Sequence, residues 1–356
     1  MTIIFGFVLG SIIGSFLNVV IYRLPRHESL AWPPSHCPKC DARLTPVELI
    51  PIISFAWQRG RCKHCGEPIS WRYPLVESLG AASFALAAWR IEDPMALLLA
   101  WALLALLIAL AFIDLDHLIL PDTLTYPGLA LGVLAAGLGG LSLGLEESLM
   151  GAGLAAGVLV LVGGYGTLVL LRGRDEPHEV PVGLHQVYLA GALGGFFGVI
   201  AGVALAVINA LVNFFTKRNW TLPAAVYLAL IPVAAILGYL ILPQGALQVL
   251  MDAGTAAGMA ALLFGLYWAF LPEPAEEDET PTAMGFGDVK FAGLLGAWLG
   301  FNGFLLALVA AALVGSIVGI FMGQRRIPFG PFLSLGGVVA LLFGAEIWQW
   351  YFSLLS

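Results

Sequence analysis

The sequence predicts an all-α polytopic integral membrane protein. It has about twelve transmembrane helices, a tandem four-helix repeat and one small zinc-ribbon-like loop. Three observations carry this. Of the 356 residues, 60% are hydrophobic and only 11% are charged, against roughly a quarter charged in a soluble domain. Apolar runs recur along the whole chain, and most approach the ~20 residues a helix needs to cross a bilayer. Eight of the 16 Lys and Arg, and all four Cys, fall within residues 23–73. The lipid bilayer is therefore the expected surrounding. The net charge of -7 and the lack of a basic cluster outside that loop argue against a nucleic-acid partner.

Residues 1–22 open the chain with "MTIIFGFVLGSIIGSFLNVVIY". The run has no basic start and no small-residue cleavage site, so it reads as a first spanning helix and not as a removable signal. Residues 23–73 form a polar loop. Residues 74–141 hold helices two to four, with apolar runs at 74–90, 95–114 and 122–141. Residues 142–245 hold runs at 148–171, 185–216 and 223–242, and residues 246–356 hold runs at 246–271, 287–323 and 331–351. The 185–216 and 287–323 runs are each too long for one crossing and carry a Gly-rich break near the middle, so each divides in two.

Basic residues orient the chain. Arg23, Arg26, Lys39, Arg43, Arg59, Arg61, Lys63 and Arg72 make the 23–73 loop cytoplasmic by the positive-inside rule. Counting crossings from there places Arg172 and Arg174, Lys217 and Arg218, and Arg325 and Arg326 on the same side. Only Arg90 falls outside, next to Glu92 and Asp93. Both termini are then extracytoplasmic.

Three blocks repeat in order. "LMGAGLAAG" (149–157) matches "LMDAGTAAG" (250–258) at an offset of 101. "VGLHQVYLAGALGGFFG" (182–198) matches "MGFGDVKFAGLLGAWLG" (284–300) at 102, and "LPAAVYLALIPVAA" (222–235) matches "IPFGPFLSLGGVVA" (327–340) at 105. Three blocks in the same order at nearly one offset are hard to reconcile with chance likeness between Gly/Ala-rich helices. It implies that a four-helix unit occurs twice.

Two sets of residues point to chemistry. "CPKC" (37–40) and "CKHC" (62–65) can supply Cys37, Cys40, Cys62 and Cys65 to one tetrahedral Zn²⁺. Two disulfides are the alternative, which a reducing cytoplasm disfavours. His64 is a neighbour of this site. A closed four-sulfur site is structural and folds a loop too small and polar to fold alone.

The second set is acidic. "FIDLDHLILPD" (112–122) carries Asp114, Asp116 and Asp122 at the end of an apolar run, and "MGFGDVK" (284–290) carries Asp288 at the start of another. On a helix Asp114 and Asp116 point about 200° apart, so only one can face the bundle. Carboxylates beside hydrocarbon are costly. Gly285 and Gly287 let backbone approach closely, whether a neighbouring helix or an extended substrate. Two carboxyl groups converging in a partly dry site share a proton, and such a pair can activate water while protonating a carbonyl.

The residues "GSFLNVVIYRLP" (14–25), the two C-x-x-C pairs, "RYPLVE" (72–77), "IDLDHLILPDTLTYP" (113–127), "GFGD" (285–288) and "IPFGPFL" (327–333) resemble the type IV prepilin leader peptidases. These are bacterial inner-membrane aspartic proteases with a G-x-G-D motif, and many are also N-methyltransferases. The resemblance covers residues 1–171 and 246–351. It implies a catalytic pair of Asp114 and Asp288. It also implies methyl transfer from S-adenosylmethionine, associated with the N-terminal region and its zinc loop. Implied substrates are prepilins or pilin-like proteins of secretion or competence, cut at the cytoplasmic membrane face.

The chain departs from the family over residues 172–245, where an extra copy carries "GLHQ" (183–186) in place of "GFGD". Gln186 cannot act as a base, so this copy is expected to be silent. It should occupy the place that Asp288 has in the second copy, while Asp114 approaches Asp288 within reach of a shared water. Two other readings stay open: a secondary transporter, and a protein that kept only a scaffold or methyltransferase role.

Overall fold

The computed structural model describes residues 1–171, 182–218, 220–240, 245–271, 283–322 and 328–355. Arg172, Arg174, Arg325 and Arg326 lie outside them. Among the described residues the regular structure is helical: α1 (Thr2–Arg23), α2 (Ile53–Trp57), α3 (Arg72–Arg90), α4 (Pro94–His117), α5 (Asp122–Gly137), α6 (Leu145–Leu171), α7 (Leu184–Phe197), α8 (Val199–Thr216), α9 (Ala224–Leu240), α10 (Gly245–Trp268), α11 (Phe286–Met322) and α12 (Gly330–Leu355). Seven are long and apolar enough to cross a membrane, namely α1, α4, α6, α8, α10, α11 and α12, and α9 contributes a shorter apolar stretch, Ala224–Gly238. The runs expected at 74–90 and 122–141, and the first half of 185–216, form α3, α5 and α7, which do not meet that length and composition.

Both expected breaks fall on glycine. Gly198 separates α7 from α8 at φ 86°, and Gly300 interrupts α11 at φ 67°. Side chains with a Cβ avoid this left-handed region.

The chain forms two compact units, Met1–Leu124 with Leu306–Ser356, and Thr125–Leu305. In the first, α1 and α3 pack backbone to backbone. A Cβ on Gly10 would lie 2.2 Å from the Gly80 carbonyl oxygen, and one on Gly80 would lie 2.4 Å from that of Gly10. Small residues let helices approach this closely in lipid, where dispersion and not water exclusion drives packing. α4 completes the core with Ile108, Ala109 and Ile113 against Leu17, Ile21 and Val76. Asp93 caps its start by accepting the Ala96 N–H at 2.7 Å. The indole N–H of Trp101 donates to the Phe84 carbonyl at 3.0 Å, so no polar atom there is left facing hydrocarbon. Leu342 of α12 packs with Phe84, Leu97, Trp101 and Leu104.

In the second unit α6 and α10 cross through glycine. A Cβ on Gly157 would lie 1.8 Å from the Gly254 carbonyl oxygen, and one on Gly258 would lie 1.8 Å from that of Gly153. α11 lies against α6 in the same way, with Gly296 over Gly151 at 2.2 Å by the same measure.

Candidate active site and cysteine cluster

Asp114 sits in the last turn of α4 and is only 6% exposed. Its Oδ2 accepts the backbone N–H of Gly330, the first residue of α12, at 2.8 Å. The start of a helix suits a carboxylate, because its N–H groups lack helical partners and carry partial positive charge. A Cβ on Gly330 would come within 2.7 Å of that same oxygen, so the glycine makes room for the acid. Asp116 points the other way, is exposed, and pairs with Arg72 at the start of α3. The Arg72 guanidinium lies 5.7 Å from the centre of the Phe112 ring. Asp122 opens α5.

Asp288 lies in the first turn of α11 and is half-buried. Its N–H donates to the Gly285 carbonyl at 3.2 Å. Gly285 is exposed, and the nearest atom to a Cβ there would be the Asp288 carboxylate itself at 3.4 Å. Lys290 faces the rings of Phe286 and Tyr126 at 5.5 and 5.7 Å, a placement that attracts a cation. Asp288 belongs to the second compact unit and Asp114 to the first.

Gln186 opens its helix as Asp288 does, with its N–H on the Gly183 carbonyl at 3.2 Å. Its side chain is used otherwise. Oε1 accepts the Gly183 N–H at 2.7 Å, and Nε2 donates to Asn209 Oδ1 at 3.2 Å. Asn209 then donates to the Trp220 carbonyl at 2.9 Å, and Asn213 accepts the Trp220 N–H at 2.9 Å. Gln186 is 1% exposed. The amide ties α7 to α8.

The four cysteines converge. None is in a disulfide, and their sulfurs all lie within 4.8 Å of one another. Zn–S bonds of about 2.3 Å place the sulfurs of a tetrahedral site about 3.8 Å apart, so this cluster fits the ion. Each C-x-x-C forms the same tight turn. Cys37 N–H donates to Ala42 and Asp41 N–H to Cys37, while Cys62 N–H donates to Glu67 and Gly66 N–H to Cys62. Single bridges, His36 to Arg43 and Arg61 to Pro68, close the two turns. The N–H groups of Cys65 and His64 draw the Cys62 thiol down to about 7. The Ala42 N–H favours the Cys40 thiolate, but desolvation and the sulfurs of Cys65 and Cys37 outweigh it and push that thiol up to about 12. Sulfurs this close could all ionise together only with a cation among them. His64 turns to Glu48 at 3.3 Å, and the N–H and hydroxyl of Thr45 hold the Glu48 carboxyl below its usual range.

The loop is tied to the helices. Glu77 Oε2 of α3 accepts the Ile52 N–H at 2.7 Å, Arg23 of α1 donates to the carbonyls of Ser29 and Pro33 at 2.9 and 2.6 Å, and Asn18 donates to Tyr73 at 3.2 Å. Sequence reasoning did not single out Gly330, Glu77 or Arg72 for these contacts. The signal was confined to the motifs "IPFGPFL" and "RYPLVE" that contain them.

A model of the type IV leader peptidase family matches residues 101–217 and 217–320, and a model of the bacterial peptidase A24 N-terminal domain matches residues 8–91. The chain belongs to the type IV leader peptidase family. Among curated relatives, the prepilin leader peptidase/N-methyltransferase of Aeromonas hydrophila is 30% identical over 97% of this chain and 92% of its own length. That of Dickeya chrysanthemi is 39% identical over 60% of this chain and 80% of its own, and that of Pseudomonas aeruginosa is 26% identical over 96% and 91%. No solved structure matches. Within the family frame, both aspartates and all four cysteines fall inside the matched segments.

Proposed function

We infer that this chain is a membrane-embedded peptidase that removes the leader from type IV prepilins and N-methylates the new N-terminus. Membership of the leader peptidase family along both matched regions carries this reading, and it leaves the transporter alternative without support. The observation of greatest weight at the site is Asp114, a carboxylate buried at the end of an apolar helix and held by one backbone N–H.

The finer assignment is ours. Asp114 and Asp288 act as the acid–base pair. One carboxyl group is protonated and the other ionised. The ionised one takes a proton from water as the water oxygen bonds to the peptide carbonyl carbon, and the other protonates the carbonyl oxygen. Collapse breaks the C–N bond: one hydroxyl of the diol returns its proton to the ionised carboxylate as the departing amine takes the proton of the other, which leaves the pair with one proton as it began. The two titrate as a unit, so neither role belongs permanently to one residue. Gly285 and Gly287 keep side chains away from the path of an extended leader.

Cys37, Cys40, Cys62 and Cys65 hold zinc as a structural ion that fixes the loop, supported by the sulfur spacing. S-adenosylmethionine supplies the methyl group. Pilin-like proteins of secretion or competence are further substrates. The protein resides in the bacterial inner membrane, with the loop and both aspartates on the cytoplasmic side and both termini outside. Residues 142–245 are a duplicate of 246–356 that lost its acid at Gln186.

The test is cleavage of a purified pilin precursor by detergent-solubilised protein, followed by mass spectrometry of the product. Leader loss and gain of one methyl group are expected. Asp114→Asn and Asp288→Asn should each eliminate cleavage and still methylate a pre-cut pilin. Normal cleavage by Asp288→Asn protein would refute the assignment.

A further inference from the structure

The contacts within the Thr125–Leu305 unit pair up under the repeat offset. Residues 157 and 258 are equivalent, as are 153 and 254. The contact of Gly157 with the Gly254 carbonyl and that of Gly258 with the Gly153 carbonyl are therefore one contact made twice, at the same 1.8 Å from a built Cβ. Such reciprocity marks a two-fold interface between equivalent surfaces. The next layer obeys it too. A Cβ built on Gly293 of α11 would lie 3.5 Å from the Ala152 carbonyl oxygen of α6, and one on its equivalent, Gly191 of α7, would lie 3.3 Å from the Ala253 carbonyl oxygen of α10. Gly296 lies over Gly151 of α6, and its equivalent Gly194 lies over Ala256 and Asp252 of α10. Thr167 near the end of α6 accepts the Ala283 N–H at 3.1 Å, and its equivalent, Trp268 of α10, donates to the Val182 carbonyl at 3.0 Å.

The copies have thus exchanged partners. The helix bearing Asp288 follows α10 in sequence, yet its backbone lies on α6 of the other copy. α10 reaches α11 through side chains, with Trp268 5.2 Å from Phe286 and Leu262 beside Gly293.

We propose that α6, from the copy without the acid, positions the catalytic helix, and that Ser148 and Thr167 are its positioning residues. This rests on the assignment of Asp288 to catalysis. The two hydroxyls hold the chain on both sides of the aspartate, one on the segment leading into α11 and one on the helix itself. Thr167 receives the N–H of Ala283, five residues before it, and donates its own proton to the Gly163 carbonyl at 2.8 Å. Ser148 donates to the Ala297 carbonyl, nine residues after it, at 2.7 Å in a fully buried position. On the other side of the two-fold the Thr167 position keeps a hydrogen bond, from the Trp268 indole, but the Ser148 position does not. Val249 stands at the position equivalent to Ser148 and makes only van der Waals contact with Gly195, at 3.4 Å from a built Cβ. At these two positions the helix of Asp288 is held by a serine and a threonine, and that of Gln186 meets a valine and an indole.

The experiment uses the full-length protein. Ser148→Ala/Thr167→Val should lower kcat for leader cleavage about 10-fold, the scale of a sub-ångström misplacement. KM and methyl transfer to a pre-cut pilin should be unchanged, which a general folding defect would not allow. Gly296→Ala should lower kcat further, whereas its equivalent Gly194→Ala, also crowded, should leave kcat within about 2-fold. Wild-type kcat in the double variant, or equal losses in Gly194→Ala and Gly296→Ala, overturns the proposal. Asp288→Asn is measured alongside. If it cleaves normally, the catalytic assignment falls and the positioning role falls with it. If it is inactive while the double variant keeps kcat, only the positioning role falls.

Discussion

Gly330 bonds Asp114 through its backbone and spares it a side chain. Gly330→Ala would set a methyl group 2.7 Å from the Asp114 oxygen, and the carboxylate would have to move by several tenths of an ångström. Leader cleavage is expected to fall about 10- to 100-fold with methyl transfer retained, as measured by single-turnover kinetics on a pilin precursor. Asp116→Asn, which loses only a partly exposed pair with Arg72, should cost far less. Gln186→Ala tests the silent copy. It breaks a buried network and should lower stability by about 1–3 kcal/mol, seen as a lower thermal midpoint, while the cleavage rate stays near wild type. A large loss of cleavage would give Gln186 a part in the chemistry. Asp114 was legible in the sequence because an acid at the end of an apolar run has to be explained. Its partner was not, because a backbone N–H 216 residues away leaves no trace in residue identity. The polar pair Asn209 and Asn213 could be seen, but not that it closes on Trp220.

At the scale of elements, the cysteine loop and the α1–α3 pair behave as one assembly. Zinc should copurify at about one ion per chain. Cys37→Ser/Cys40→Ser should release it and unfold the loop, because metal binding and folding of so small a segment are one equilibrium. Methyl transfer should suffer more than cleavage; metal analysis and limited proteolysis of residues 27–70 are the measurements. Glu77→Ala removes the acceptor for the Ile52 N–H and should speed that proteolysis, whereas Glu77→Gln keeps an acceptor and should do less. Helix positions were readable from apolar runs, and the breaks at Gly198 and Gly300 from glycine. The short helix α2 was not readable, because Ile53–Trp57 takes its place from the turns and tethers around it and has too few residues to show a period.

For the whole molecule, an epitope tag at either terminus should be accessible to antibody from outside intact spheroplasts, and a tag within residues 27–35 only after lysis. The opposite pattern would reverse the assigned orientation. The repeated blocks were visible in the sequence because matching residues keep a near-constant offset. The exchange of partners was not, since an offset tells which residues correspond and not which ones touch. The glycine crossing of α6 with α10 has a further consequence. Two equivalent surfaces that match across a two-fold axis are what separate subunits use to dimerise, and separate subunits fall apart on dilution. Joined in one chain, the surfaces meet at a fixed effective concentration. The pairing therefore holds however scarce the enzyme is in its membrane, and a single acid-bearing copy always has its counterpart at hand.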